Sequence, residues 1–450
     1  MNRFESKETS IELLSSLEYI FPIESTKELE KESIIKELEK TKENREGGQY
    51  LFWSENYNGI FTILYNHQIP KEPVRGFLIS VINKPQPTDL SFGNYYCKVF
   101  NDDIKIIPRQ ETHSEIWLSL RQTQFRRAIA KFSSFSTEPM IRWLQIVENS
   151  LSLRYENNPF SYCLFMTKQK DRIMKQLSNG FISFSEQIPF EKGIMSEKWL
   201  RGSMSGQTVG IAGYGLAGEL FGMFAIPDEN MNGENKIISP HEDIEPITNL
   251  LVNGTCLFLT TVHGDIYFML PNHSVFYKTQ GRWFYVNYSN IKIVLQNLLT
   301  ETVSESLLRL LLNLAFDRQG GLIFIPDNVS ELKEIIPDFE IRKKVNGILR
   351  NTLNGLNISE KKQRKVIQSS AKVDGALIIN NDGIVLDVAC MIGQPYEAKL
   401  KQLGFEKLER FSGARSTAAW NASVYGTAIK VSEDGPISIF RHGKLIAQIG

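Results

Sequence analysis

The chain has no paired cysteines, no excess of either charge, few histidines and no long apolar run, and each shortage closes a class of function. Its four cysteines, Cys97, Cys163, Cys256 and Cys390, stand singly in apolar or aromatic surroundings. Disulfide frameworks and zinc sites need close, paired spacing, so all four read as buried reduced thiols. The six histidines are dispersed and no His-Glu-x-x-His pattern occurs, which leaves zinc chemistry without ligands. Fifty-one basic side chains balance fifty-one acidic ones. Such a balance provides no global field for nucleic acid or an anionic membrane, so any anion site must be local. No apolar segment reaches the ~18 residues of a membrane span. Residues 1–10 lack the basic start, apolar run and small-residue cleavage site of a signal peptide. The expectation is a cytoplasmic protein.

What is present is ordinary for a packed globular chain: 42% hydrophobic and 23% charged residues over 450 positions. That length is about three times the usual domain of roughly 150 residues, so two or three cores are expected. The patterning suggests a mixed α/β region over 1–135, a β-rich region over 136–290 and a final region over 291–450 in which helices alternate with buried strands. In the first, Ser25 and Glu28 resemble a capping box that opens a helix running to Arg45. Short strand-like runs over 77–107 are broken by Pro85, Pro87 and Gly93. Helical spacing follows over 115–132 and 140–149.

The middle region turns to strands, clearest at 208–212, 220–226, 256–260 and 266–270. After Gly281-Arg282-Trp283 the chain reads as helical, with Thr302 and Glu305 as a second capping box. Leu322 to Ile325 is a short apolar run typical of a strand buried on both sides. The fold class expected is α+β or α/β, ending in a mixed sheet flanked by helices.

Three motifs invite a functional reading. Gly213-Tyr214-Gly215-Leu216-Ala217-Gly218 fits the dinucleotide-binding pattern, but a strand-like run up to Pro227 follows where a helix must start, so a Gly-rich hairpin is expected. Residues 341–372 hold nine Lys or Arg against one acid, Glu360. Such a run reads as the solvated side of a helix rather than a nucleic-acid surface.

The third is a C-terminal constellation. Asp374-Gly375-Ala376 stands before a buried strand, at a strand end of the kind α/β sheets use for ligands. Gly413-Ala414-Arg415-Ser416-Thr417 opens a helix whose free N–H groups, beside Arg415, can cradle a phosphate. A strand through Ile429-Lys430-Val431 then delivers Ser432 and Glu433. Two acids and an anion cradle suggest a metal-bridged nucleotide. The same residues also fit a hairpin, a capped helix and a surface turn.

Taken in order, the Leu-rich helix, Gly320-Gly321-Leu322-Ile323-Phe324-Ile325, Asp374-Gly375-Ala376, Gly413-Ala414-Arg415 with Ala418-Ala419, and Val431-Ser432-Glu433 resemble the diadenylate cyclase domain family over residues 302–450. The resemblance implies an adenine-nucleotide site that joins two ATP into cyclic di-AMP across a face-to-face homodimer. By the same resemblance Asp374 would hold the metal and assist the attacking 3′-hydroxyl, and Gly375 and Ala376 would approach the nucleotide by backbone. Arg415 would bind phosphate with the helix start around it, and Ser432 and Glu433 would complete the phosphate and metal contacts. Where the family has His and a second Arg after the first, this chain has Ser416 and Thr417. Exchanging a charge-assisted hydrogen bond for a neutral one forfeits about 1–2 kcal/mol, so two exchanges slow a reaction ~100-fold if they act in the transition state. Binding of ATP or cyclic di-AMP by a sensor or signalling module is therefore expected to survive better than turnover. An active cyclase and an interaction protein without ligand are the alternatives.

Overall fold

Strand signals dominate the middle and the end of the chain, and among the described residues the computed structural model gathers them into three sheets and one short hairpin. The structure describes residues 7–40, 49–65, 73–106, 114–177, 180–227, 237–337, 339 and 352–449. Part of the basic run, at 341–351, and Arg45 lie outside the described residues. The chain divides into two compact units. Unit 1 comprises residues 1–238 and 243–287, and unit 2 comprises 239–242 and 288–450.

Unit 1 opens with an antiparallel sheet of β1 (Ile23–Leu29), β2 (Leu51–Ser54), β3 (Gly59–Tyr65) and β4 (Pro73–Val81), in the order β1-β4-β3-β2. Residues 23–29 are thus a strand, and the Ser25 capping box does not form. Pairing with β4 along six positions and an ion pair between Glu28 and Arg75 outweigh local helix signals. The helix starts later, at Lys31–Lys40.

Residues 87–106 also differ from expectation, forming a 20-residue helix, Pro87–Ile106, in place of short strands. Pro87 suits a first helical position, and the Asp89 carboxylate accepts a hydrogen bond from the Gln86 N–H at 2.8 Å. Gly93 does not break this helix, because its missing side chain makes room for the Phe21 ring; a Cβ there would lie 2.8 Å from it. Helices Ser114–Phe132 and Thr137–Ser150 follow.

After a hairpin of β5 (Arg154–Tyr155) and β6 (Asn158–Pro159), the remaining strands of unit 1 form one sheet. They are β7 (Cys163–Thr167), β8 (Phe181–Pro189), β9 (Val209–Tyr214), β10 (Glu219–Ala225), β11 (Thr255–Thr260), β12 (Ile266–Met269), β13 (Val275–Thr279) and β14 (Arg282–Val286). Their order is β14-β13-β12-β11-β7-β9-β10-β8, with β7 and β9 parallel and the other pairs antiparallel. Residues 282–286 are therefore a strand; the helix expected after Gly281 begins at Tyr288. The Gly213–Gly218 pattern turns β9 into β10 as a hairpin, with Gly215 and Gly218 at φ of 74° and 69°. One apolar cluster from Leu13 to Tyr285 serves both sheets and the helices, with Phe92 stacked on Tyr285 at 5.0 Å between ring centroids.

Unit 2 is built on a six-stranded mixed sheet: β15 (Gly321–Pro326), β16 (Ala376–Ile379), β17 (Val385–Cys390), β18 (Gly426–Val431), β19 (Ile437–Arg441) and β20 (Lys444–Ile449). The order is β17-β16-β15-β18-β19-β20. Only β15 and β16 are parallel. Strand β15 is central and buried at every residue, as its continuous apolar run requires. Helix Ala414–Ser423 covers one face with Ala419, Trp420 and Ala422, against Leu322, Phe324, Ile378 and Ala428. Leu314 of helix Glu301–Phe316 and Ala371 of helix Lys361–Ala371 approach the sheet at Gly321. The first of these helices has Thr300 as its N-cap, without a side-chain cap, and Glu305 pairs with Lys292 instead of forming a capping box with Thr302.

The basic helix is not wholly solvated. Arg364 is 4% exposed and donates to the carboxylate of Glu242, itself 6% exposed, at 3.1 Å and to the Ile358 carbonyl at 3.0 Å. The Glu242 N–H donates to Asn313, whose amide reaches Gln368. The protein is thus an α+β molecule with mixed sheets flanked by helices. Among the described residues no helix is long and apolar enough to cross a membrane.

Candidate functional site

Register places the C-terminal motifs. Ile323 pairs with Leu377 and Phe324 with Ile378 in the parallel β15–β16 ladder. Both strands therefore start at the same end of the sheet, β15 just after Gly320 and β16 just after Asp374-Gly375. On the other side of β15, Gly321 pairs with Val431 of antiparallel β18, so Ser432 and Glu433 leave the sheet at the same end. Three segments far apart in sequence therefore meet at one edge. It is the amino end of the two parallel strands, opposite to the carboxyl end where doubly wound sheets hold ligands; with one parallel pair among five, that rule has little purchase here.

The 414–423 helix delivers Arg415 to this edge. Its position is fixed by Trp420, which is fully buried and donates its indole N–H to the Gly443 carbonyl at 2.8 Å, and by Asn421, whose amide donates to the Gly393 carbonyl at 2.9 Å. Anchored at that end, the helix directs its first turn at Gly320. A Cβ on Gly320 would collide with the Arg415 guanidinium and lie 3.0 Å from Cγ of Glu433. Gly320 has no positive φ to accommodate, so close approach is what its missing side chain provides. Arg415 Nη1 also meets Glu433 Oε1 at 3.4 Å, with Arg415 30% and Glu433 71% exposed. Such an exposed, long pair is weak, typically worth less than about 1 kcal/mol, and Glu433 can leave it.

Among the described residues nothing caps the start of this helix. Gly413, the N-cap, is extended and has no side chain to cap with, and the first helical bond runs from the Thr417 N–H to the Gly413 carbonyl at 3.1 Å. The N–H groups of Ala414, Arg415 and Ser416 have no acceptor within the helix. The Thr417 hydroxyl turns back on the preceding loop: it accepts from the Phe411 N–H at 3.3 Å and lies 3.3 Å from the Gly413 carbonyl. Ser416 makes no side-chain hydrogen bond among the described residues.

On the β16 side, Asp374 is exposed and its carboxylate has no hydrogen bond or ion pair among the described residues. Gly375 is at φ 101°, and a Cβ there would lie 2.5 Å from the Ala389 carbonyl carbon and 2.8 Å from the Cys390 nitrogen. Ala389, across the ladder, also has positive φ, 53°, where the register shifts between Ala376 and Ile378. The backbone beside Asp374 is thus held in a conformation few residues adopt. Ala376 points its methyl into the core, leaving only its backbone for a ligand. Ser432 closes a turn, accepting from Gly435 and donating to Pro436 through its backbone.

Sequence reading passed over Lys430. It sits in β18 between Leu322 and Ser438, on the face that carries Ala428 and the covering helix. Half-burial lowers its pKa, the nearby charge of Arg415 lowers it further, and Asp434 opposes both. The signal was present: one lysine stands in the otherwise uncharged run Gly426–Val431.

Asp374 and Glu433 bring two carboxylates to this edge, and no group of three or more His, Cys, Asp or Glu stands together among the described residues. A divalent ion needs about six oxygen ligands, so these residues fit Mg or Mn only when a ligand's phosphate oxygens supply the rest. A surface cleft of about 790 Å³ in unit 1, lined by Arg126, Arg142, Gln145 and Asn149, offers no comparable site, since Arg126 is paired with Glu148 and Arg142 with Glu191.

No family model matches the chain, and no curated protein matches it. One solved structure with some likeness is described as a hypothetical membrane spanning protein from Bacillus cereus, at 19% identity and a TM-score of 0.26, covering 36% of this chain and 70% of that one. Similarity at that level defines neither fold nor function here.

Proposed function

We propose that unit 2 binds an adenine nucleotide, ATP or cyclic di-AMP, in the manner of a diverged diadenylate cyclase domain, and acts as a sensor or signalling module. One observation carries the reading: Gly320, Asp374, Arg415 and Glu433 come to a single sheet end with an uncapped helix start beside them. The open N–H groups and Arg415 take the phosphates, and Gly375 and Ala376 present backbone to the nucleotide. Gly413 and Ala414 allow close approach, and Ser416 adds a neutral donor. Thr417 and Ser432 hold the loops that frame the site. Mg or Mn arrives with the nucleotide and is shared by Asp374 and Glu433. The proposal includes a homodimer, in which each subunit brings one nucleotide, and a cytoplasmic location.

Turnover separates this reading from an active cyclase. Purified protein incubated with ATP and Mg or Mn is expected to bind nucleotide by equilibrium dialysis and to give little or no cyclic di-AMP by mass spectrometry. Robust product that disappears in Asp374→Asn makes the protein a cyclase. Absence of binding to ATP and to cyclic di-AMP removes the nucleotide reading altogether.

A further inference from the structure

We infer that Lys430 is a second phosphate-binding cation, paired with Arg415 and suited to a chain of two or more linked phosphates rather than to a single one. The inference deepens the nucleotide reading of unit 2 and rests on it for the adenosine moiety only; its own claim concerns the phosphate chain.

Strand alternation puts the Lys430 side chain on the face covered by the 414–423 helix, flanked by Leu322 of β15 and the buried Ser438 of β19. Leu322 lies two residues along the chain from Gly320, where the Arg415 guanidinium packs, so Lys430 and Arg415 project over the same stretch of one sheet face, with the Lys430 stem over the core. Arg415 in turn is pressed against Gly320, so it cannot withdraw from its neighbour by moving into the sheet. Two like charges are thereby held together by packing. The acids near them are Glu433 and Asp434, both exposed in the 432–436 turn, and Asp374 at the neighbouring strand.

Burial and the Arg415 charge both disfavour the Lys430 ammonium, with Asp434 as partial relief. A chain of linked phosphates, with three or more negative charges spread over successive groups, neutralises both cations, whereas a single phosphate of at most two charges leaves them to share it. Arg415 offers a planar fork and Lys430 a compact point charge, a combination that grips successive phosphates of one chain. Glu433 is the exposed counter-ion that such a ligand displaces.

The test is calorimetry of the full chain with ATP, AMP and inorganic tripolyphosphate, on the wild type, Lys430→Met and Lys430→Arg. Loss of a charge-assisted contact predicts binding of ATP and tripolyphosphate at least about tenfold weaker in Lys430→Met, AMP changed less than about threefold, and Lys430→Arg close to wild type. Lys430→Met is expected to melt no lower than wild type, since it removes a half-buried charge. If it does not fold, Lys430→Gln is read in its place.

Equal affinity of wild type and Lys430→Met for ATP and tripolyphosphate overturns the inference and leaves the nucleotide reading standing. Lys430-dependent binding of tripolyphosphate with ATP no tighter supports the inference and removes the nucleotide reading. No binding of either by the wild type overturns both.

Discussion

The guanidinium of Arg415 occupies the space where a side chain on Gly320 would be. Ninety-five positions separate the two residues, and the contact exists because the 414–423 helix is pinned at its far end by Trp420 and Asn421. A glycine that seems only to end a helix is thereby part of the site's geometry.

That contact predicts a non-additive pair. Gly320→Ala is expected to dislodge Arg415 and weaken ATP binding as much as Arg415→Ala does, with about 1–3 kcal/mol of lost stability from overpacking. In an Arg415→Ala background the same change should cost far less, because the clashing group is gone. Calorimetry and urea unfolding of the four proteins read both quantities. Equal costs in both backgrounds would show that Gly320 and Arg415 do not touch.

Gly375 makes a different demand. Its left-handed φ excludes alanine, and so does the β17 backbone, which lies 2.5 Å from the place a methyl group would take. Gly375→Ala is expected to lower stability by about 2–4 kcal/mol by urea unfolding. A loss below about 1 kcal/mol would mean that this backbone is free to rearrange.

The Arg364–Glu242 pair is buried on both sides. Glu242→Gln leaves the Arg364 charge without its counter-ion and is expected to cost about 3 kcal/mol or more, whereas replacing both with methionine should restore much of the loss. Thermal unfolding of the three proteins is the check. A single variant as stable as the wild type would put this ion pair in solvent.

Alkaline pH should destabilise the fold. Burial pushes the Cys97 thiol up to about 12 and also raises Cys163, Cys256, Tyr96 and Tyr162. These groups keep their protons when folded and release them when unfolded, so their stabilisation is complete below their ordinary pKa values and is lost as pH climbs toward the raised ones. Lys430 runs the other way, its lowered pKa relieving a penalty as pH rises, but it is one group against several. Urea unfolding from about pH 8 to about 11 should show falling stability. A flat profile would mean that these groups are open to water.

Much of unit 2 was legible in sequence because its signals are local and agree. The run Leu322 to Ile325 has no polar residue and became the buried central strand, and Gly413 before Ala414 marked a helix start that formed. Residues 23–29 and 87–106 misled for opposite reasons. In the first, cross-strand pairing with β4 overrode a capping pattern. In the second, Gly93 looked like a breaker because the Phe21 ring that fills its space is remote in sequence. The site residues could be named, but not their placement at one sheet end, which depends on the parallel β15–β16 register and the antiparallel β15–β18 one. Lys430 escaped notice because its neighbour Arg415 is reached only through the packed helix.

The most direct test of the central claim, that Asp374 and Arg415 serve one nucleotide site, is a crystal structure grown with ATP and Mg. The account predicts phosphate density against Arg415, Lys430 and the open N–H groups of the 414–423 helix, with the metal at Asp374. Density for ATP elsewhere on the chain, or Asp374 and Arg415 holding separate ligands, would contradict it.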